Sequence, residues 1–208
     1  MKADEKKLDP RVVRTRKLLR EAFMDLVAEK GYRNITIQEL TDRATLNRVT
    51  FYLHYDNLED LLIQTTHHLL DELVARVPPR KEGGGSYQEV LDGLAINFQF
   101  FADYQDFMRS MLGPEGVWTF LHTWQEYHFQ AGIDRLKQLH AGNPELEIEP
   151  ELVSRYMHAS FTGVLQWWFE TGLSSSPEEL AAKVLKIYTE GVYRTLGYTI
   201  TDQGFFVE

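Results

Sequence analysis

The sequence predicts an all-α protein, with a short helical unit at the N-terminus and a larger helical remainder. Three observations carry that prediction. Apolar residues recur at i, i+3, i+4 and i+7 along most of the 208 residues, no stretch alternates as a half-buried strand does, and proline and glycine fall between the periodic segments. There is no internal repeat. The length suits two modest units better than one small core.

Residues 11–30 carry Val12, Leu18, Leu19, Ala22, Phe23, Leu26 and Val27 on a broad stripe, ended by Gly31 in a C-cap position. Thr36 is followed three residues later by Glu39, the pair that satisfies the orphan N–H groups of a helix start. Ile37, Leu40 and Ala44 make the next stripe. Thr45 and Leu46 then form a turn, and Asn47 is a good N-cap for a helix over 48–55. Two helices joined by so short a turn define a helix-turn-helix, whose second helix enters the major groove of DNA. With Phe51 and Tyr55 pointing inward, Arg48, Thr50, Tyr52 and His54 point outward, all able to donate to phosphates or base edges. An ordinary solvated helix would carry Glu and Lys there.

Leu58 to Val77 predicts a connector helix, stopped by Pro78-Pro79, and Gly83-Gly84-Gly85-Ser86 predicts a flexible loop. Helices over 87–104 and 106–112 follow, broken by Gly113-Pro114. Val117 to about His140 reads as another long helix, ended by Gly142-Asn143-Pro144. Pro150–Gly172 and Pro177–Leu196 complete the set, each with proline in its first turn, where it is tolerated. The tail Gly204-Phe205-Phe206-Val207 is apolar for a chain end, and either docks on a neighbouring surface or has no role.

The net charge of −9 is unevenly placed. Residues 1–50 hold 12 Lys and Arg against 8 Asp and Glu, a net of +4, while the remainder holds 10 against 23, a net of −13. Basic charge thus gathers where the reading helix lies, the footprint a phosphate backbone requires. The absence of cysteine removes disulfides, thiol catalysis and cysteine metal sites. The charged start, Met1 to Lys7, does not read as a secretory signal, and no run approaches the roughly 20 apolar residues of a membrane helix, so the expected location is cytoplasmic.

No catalytic constellation or cofactor motif is visible. The triple glycine lacks the flanking strand and the Lys-Ser/Thr ending of a phosphate loop. Adjacent His67 and His68 point about 100° apart on a helix and cannot share an ion. His122 and Glu126 stand at i, i+4, but no third ligand is evident, so no metal site is expected.

Ala44 to Leu61, with Thr50-Phe51-Tyr52 at its centre and Glu59-Asp60-Leu61 after it, resembles the tetracycline-repressor (TetR) family of transcriptional regulators. Arg14-Thr15-Arg16, Ala22-Phe23 and Glu29-Lys30-Gly31-Tyr32 resemble that family's first helix and the corner after it. The likeness is specific over residues 12–75. Gln166-Trp167-Trp168-Phe169 with Ser176-Pro177-Glu178-Glu179-Leu180 resembles the last two helices of one branch. Three positions depart from the usual pattern: Thr45 stands for a turn glycine, Val49 for a frequent glycine or alanine in the reading helix, and Leu58 for a phosphate-contacting lysine.

The resemblance implies a helix-turn-helix DNA-binding domain at 1–57 and a helical effector-binding and dimerisation domain at 58–208, with 58–77 as connector. Thr36, Asn47, Arg48, Val49, Thr50, Tyr52, His54 and Arg16 would meet double-stranded operator DNA. Of the 26 aromatic residues, 21 lie from Tyr87 onward. Most are core, yet an apolar pocket with a few polar groups is what a small-molecule site looks like. Phe98, Phe101, Phe107, Trp118, Leu121, His122, Trp124, Gln125 and Phe129 are its candidates. The final two helices carry stripes, with Val153, Met157, Phe161, Val164, Leu165 and Trp168 on one and Leu180, Val184, Ile187, Tyr188 and Val192 on the other. In the family such a pair meets its symmetry mate as a four-helix bundle; alternatively both stripes pack inside one chain. The expected protein is a homodimeric regulator, a repressor of a palindromic operator released by a small apolar or aromatic effector. Alternatives are a C-terminal domain that binds another protein and no effector, or a small helical enzyme in which the helix-turn-helix is incidental.

Overall fold

A computed structural model describes residues 9–78, 86–113, 116–127 and 149–191, with the backbone of 198–201 and 204–207. In order these form α1 (Pro10–Lys30), a 3-10 turn (Tyr32–Asn34), α2 (Ile37–Arg43), α3 (Arg48–Tyr52), α4 (Leu58–Arg76), α5 (Tyr87–Asp103), α6 (Gln105–Leu112), α7 (118–127), α8 (Pro150–Glu170) and α9 (Pro177–Glu190). Strands β1 (Tyr198–Thr201) and β2 (Gly204–Val207) pair antiparallel, with Tyr198 opposite Val207 and Thr201 opposite Gly204. The fold class is all-α as expected, with this terminal hairpin added. Helix α9 stops earlier than periodicity suggests, because Gly191 takes φ 78° and its N–H bonds back to Ile187. The expected continuation through Val192 and beyond lies outside the described residues, as do the triple-glycine loop and the part of the expected long helix from 128 to about 140.

The chain divides into two compact units. One holds Met1–Leu70 with Asp106–Gln166, the other Asp71–Gln105 with Trp167–Glu208. In the first, Leu19, Phe23, Leu40, Phe51, Leu61 and Leu62 are fully buried. Phe23 meets Tyr32 edge-on at 6.1 Å and Phe107 at 6.4 Å; Phe107 meets Phe120 at 5.8 Å, and Phe120 meets Trp124 at 5.7 Å. The first three pairs meet edge-to-face and the last is tilted; such aromatic pairs are each worth about 0.5–1.5 kcal/mol beyond the area they bury. Gln166 donates through Nε2 to the Leu112 carbonyl at 2.8 Å, satisfying an orphan acceptor at the end of α6.

In the second unit α5 packs on α9, and serines cap both helices through reciprocal bonds with Glu89 and Glu179. Trp168 meets Phe98 edge-on at 5.7 Å and donates its indole N–H to the Ser175 carbonyl at 3.0 Å. Arg76 pairs with Asp103 and Glu72 and lies over the Phe100 ring at 5.0 Å, while the Tyr104 hydroxyl donates to Glu72 at 2.7 Å.

The turn between α2 and α3 is built like a helix C-cap. The Leu46 N–H bonds to the Thr41 carbonyl at 2.8 Å and the Thr45 N–H to Asp42 at 3.1 Å, leaving Thr45 at φ 56°. That is the Schellman pattern, in which glycine is the usual left-handed residue. Left-handed backbone costs a β-branched residue about 1–2 kcal/mol, against about 0.4–1 kcal/mol for the extra unfolded-state freedom of glycine. Thr45 is exposed and has no packing to lose. Thr45→Gly is therefore expected to stabilise the protein by up to about 1 kcal/mol, read as a higher urea midpoint at unchanged m-value. A lower midpoint would show that the threonine side chain holds the turn by a contact of its own.

Candidate nucleic-acid interface

The interface grows from a small set of local commitments. Thr36 caps α2 with its hydroxyl toward the Glu39 N–H, and the Glu39 carboxylate accepts from the Thr36 N–H at 3.0 Å and its hydroxyl at 2.7 Å. Lys30, at the end of α1, reaches the same carboxylate at 2.6 Å. The Lys30 ammonium and the Thr36 donors hold Glu39 at about 2, well below the usual carboxylate range. Arg43 grips Glu29 with both terminal nitrogens at 2.7 Å, and that bidentate bond lowers the Glu29 carboxyl. Two ion pairs thus tie α2 to α1. Thr36 is exposed but doubly committed within the capping box.

Asn47 caps α3 by accepting from the Val49 N–H at 2.8 Å. Phe51 is fully buried and Tyr55 nearly so, with ring centroids 5.8 Å apart. These two fix the rotation of α3. At about 100° per residue, the direction opposite them belongs to Val49 and Leu53. Both side chains are open to solvent, 67% and 75% exposed. Arg48 and Tyr52 flank this ridge on one side; the Arg48 guanidinium lies 5.7 Å from the Tyr52 ring centroid and donates to its hydroxyl at 3.2 Å. Thr50 and His54 flank it on the other side and are only half-exposed.

The expected outward set of Arg48, Thr50, Tyr52 and His54 is therefore corrected. Arg48 and Tyr52 are exposed, Thr50 and His54 are shoulders, and Val49 with Leu53 forms the crest. Sequence reasoning missed Leu53. The signal was present, since placing Phe51 and Tyr55 inward puts 49 and 53 on the far side.

Arg16, on α1, is half-buried, and its Nε has no hydrogen-bond partner. Its charge, together with partial burial of the ring, which is the larger effect, depresses the His54 pKa below 6.5. Asn57 caps α4 by accepting from the Asp60 N–H at 2.9 Å. Glu59 and Asp60 occupy the first turn of that helix, which begins at Leu58.

The ligand candidates divide between the two units. Phe98 and Phe101 are buried in the second; Phe107 and Trp124 are buried in the first, with Leu121 and Gln125 half-buried. Trp118 is 72% exposed and stacks on exposed His122 with ring centroids 5.8 Å apart, so this pair stands on the surface and lines no interior here. Phe129 lies outside the described residues. Among those described, no group of three or more His, Asp or Glu is placed to hold a metal, and no helix is long and apolar enough to cross a membrane.

Of the interface candidates, Leu165, Trp168 and Val184 are buried within the chain, and Phe161, Val164, Ile187 and Tyr188 are half-buried. The physical reason is visible at Trp168, whose ring and N–H are both used internally. The apolar side chains α8 leaves exposed are Leu152, Tyr156, Met157 and Trp167.

An N-terminal helix-turn-helix with a basic, donor-rich second helix defines a DNA-reading class of protein. Residues 19–65 match the family of bacterial regulatory proteins called tetR, and residues 88–190 match a transcriptional regulator C-terminal region. The chain belongs to the TetR family of transcriptional regulators, which are not enzymes. It is 31% identical over 201 residues to the helix-turn-helix-type regulator YxbF of Bacillus subtilis, a match spanning 92% of this chain and 49% of that one. A second Bacillus subtilis regulator, YuxN, is 25% identical over 97 residues, 46% of this chain and 33% of that one. The chain thus spans half or less of the length of these curated relatives. Among solved structures, it is similar to NalD, a repressor of the MexAB-OprM multidrug efflux pump of Pseudomonas aeruginosa (TM-score 0.67, 19% identity, 87% of this chain and 96% of that one). It is likewise similar to FadR from Bacillus subtilis, solved with stearoyl-CoA (TM-score 0.66, 14% identity, 85% and 98% covered). At such identities these two likenesses speak for the fold.

His54 gives a test of the geometry. Its imidazole should titrate below 6.5 by NMR, and Arg16→Gln should raise the midpoint part of the way back, since burial remains. The folded pKa is depressed, so the unfolded chain binds the extra proton first; stability is complete above about 6.5 and declines as pH falls through the lower folded value. Half-buried His158, lowered chiefly by desolvation, shifts the same way and adds to that decline. An unmoved His54 midpoint in the variant would place Arg16 away from the reading helix.

Proposed function

We propose that this chain is a cytoplasmic, homodimeric repressor that binds a palindromic DNA operator and is released by a small apolar or aromatic effector. The observation that carries the reading is the outward face of α3. Arg48 and Tyr52 are exposed beside Val49 and Leu53, on the part of the chain whose net charge is +4. We assign residues 1–57 to DNA reading and 58–208 to effector binding and dimerisation, with 58–77 as the connector. Asn47, Arg48, Val49, Thr50 and Tyr52 would face the groove, with Arg16, Thr36 and His54 toward the backbone.

One five-residue helix makes too few contacts for a specific site, which favours a two-fold dimer on a two-fold operator. The surface that suits the second copy is the exposed face of α8 that carries Leu152, Tyr156 and Met157. Around Gly163 nothing lies within 4 Å of an added Cβ, so another backbone can approach there.

For the effector step, α7 is tied to the first turn of α4 by Thr119, whose hydroxyl donates to Glu59 at 2.8 Å. An effector seated among Phe107, Leu121, Trp124 and Gln125 would shift α7, and with it the helix that follows α3. Ligand binding would then favour an arrangement that mismatches the operator. The solved relative that binds stearoyl-CoA supports the idea of an apolar effector, without naming one for this chain.

Binding to the DNA flanking the gene, across a salt series, tests this reading. Specific binding should weaken steeply with salt, with log K falling by about 0.9 per phosphate contacted for each decade. Arg48→Ala should cost about 1–3 kcal/mol and relax one base preference. Equal, weak binding to every duplex would reject the reading. Separately, Tyr156→Asp should convert the dimer to a monomer in analytical ultracentrifugation and abolish operator binding; a dimer that persists would place the interface elsewhere.

A further inference from the structure

The apolar crest of α3 has a chemical consequence. Val49 and Leu53 are the side chains most directly opposed to buried Phe51 and Tyr55, and each exposes two thirds or more of its surface. In a groove reached by α3, this crest meets the base edges first. Only one base offers an apolar group in the major groove, thymine through its C5 methyl; the others present acceptors and donors. An aliphatic side chain pressed on those polar edges strips their water and leaves them unpaired, which costs affinity. The crest therefore both rewards thymine and penalises its alternatives.

Resting on the DNA-reading function proposed above, we infer that Val49 and Leu53 are specificity-determining residues that read the C5 methyl groups of thymine in each operator half-site. The placement constrains the site. Four residues of helix rise about 6 Å, near two base-pair steps at about 3.4 Å each. The two methyls should therefore lie within two steps of one another. Arg48 stands on one flank of the crest, held against Tyr52 at 3.2 Å, and a guanine beside the thymines would suit its free donors. The surroundings favour DNA over a protein as the occupant of this face, because the apolar pair is narrow and flanked by Arg48, Tyr52 and Thr50 within the basic N-terminal stretch.

The test uses the full-length protein and a duplex it selects from a random-sequence library, resynthesised with deoxyuridine in place of thymidine. That replacement removes the methyl and keeps base pairing. The expected result is thymine enrichment at two positions no more than two steps apart in each half-site. Deoxyuridine at those positions should weaken binding about fourfold for each buried methyl, with no effect at thymines elsewhere. In V49A/L53A the same replacement should change affinity less than about twofold. Both residues are exposed, so the variant leaves the core untouched. Equal affinity of the unaltered protein for the thymidine and deoxyuridine duplexes would overturn the inference while leaving DNA reading intact. A library from which nothing is enriched would instead overturn the DNA reading on which it rests.

Discussion

A helix of five residues has no stability of its own, because the cost of nucleating a turn is barely recovered over so short a span. Helix α3 exists only because Phe51 and Tyr55 are buried and because the preceding turn delivers the chain at the right angle. What α3 presents outward depends on those two rings. They set the helix rotation, and rotation alone decides that Val49 and Leu53 form the crest while Thr50 and His54 become shoulders. Burial of Phe51 is the constraint from which the interface follows.

The second requirement is a fixed relation between α2 and α1. Exposed ion pairs contribute little individually, typically under about 1 kcal/mol, so Lys30–Glu39 and Arg43–Glu29 matter less for stability than for geometry. Each is held to one direction. Glu39 is already held by the Thr36 cap, and Arg43 uses a planar fork that accepts one orientation of carboxylate. The buried apolar residues of α1 then serve as the rigid support on which the reading helix is mounted. The strongly acidic remainder of the chain, net −13, would be repelled by phosphate and leaves the basic stretch as the side that approaches DNA.

Much of this was legible in the sequence. The Thr36–Glu39 box, the Asn47 cap and the inward pair Phe51 and Tyr55 were readable from spacing, because each is a local device whose partners lie within four residues. The boundaries of α3 were not, since periodicity runs on through Tyr55 while the helix ends at Tyr52 with Leu53 as its C-cap. The C-terminal hairpin escaped because four-residue strands are too short to establish alternation, and the end of α9 turns on the positive φ of Gly191. On α8, a wide apolar stripe looked available to a partner. Leu165 and Trp168 satisfy their own chain first, and the exposed apolar side chains sit on the adjoining face. A helix with two apolar faces cannot be assigned from sequence alone, because each stripe predicts burial without saying by what.

The departures from the family pattern have separate physical meanings once placed. Thr45 is a local cost, a left-handed threonine held by the hydrogen bonds of the cap on either side of it. Leu58 brings no charge to the start of α4, and with Glu59 and Asp60 beside it that helix start is poorly suited to phosphate. Val49 adds apolar surface to the crest of the reading helix. A chain that gives up backbone attraction at one point and gains base-edge contact at another moves its binding energy from the sequence-blind part of the interface to the sequence-reading part. Affinity falls less than salt dependence does under such a trade, because apolar contact with a methyl releases no counterion.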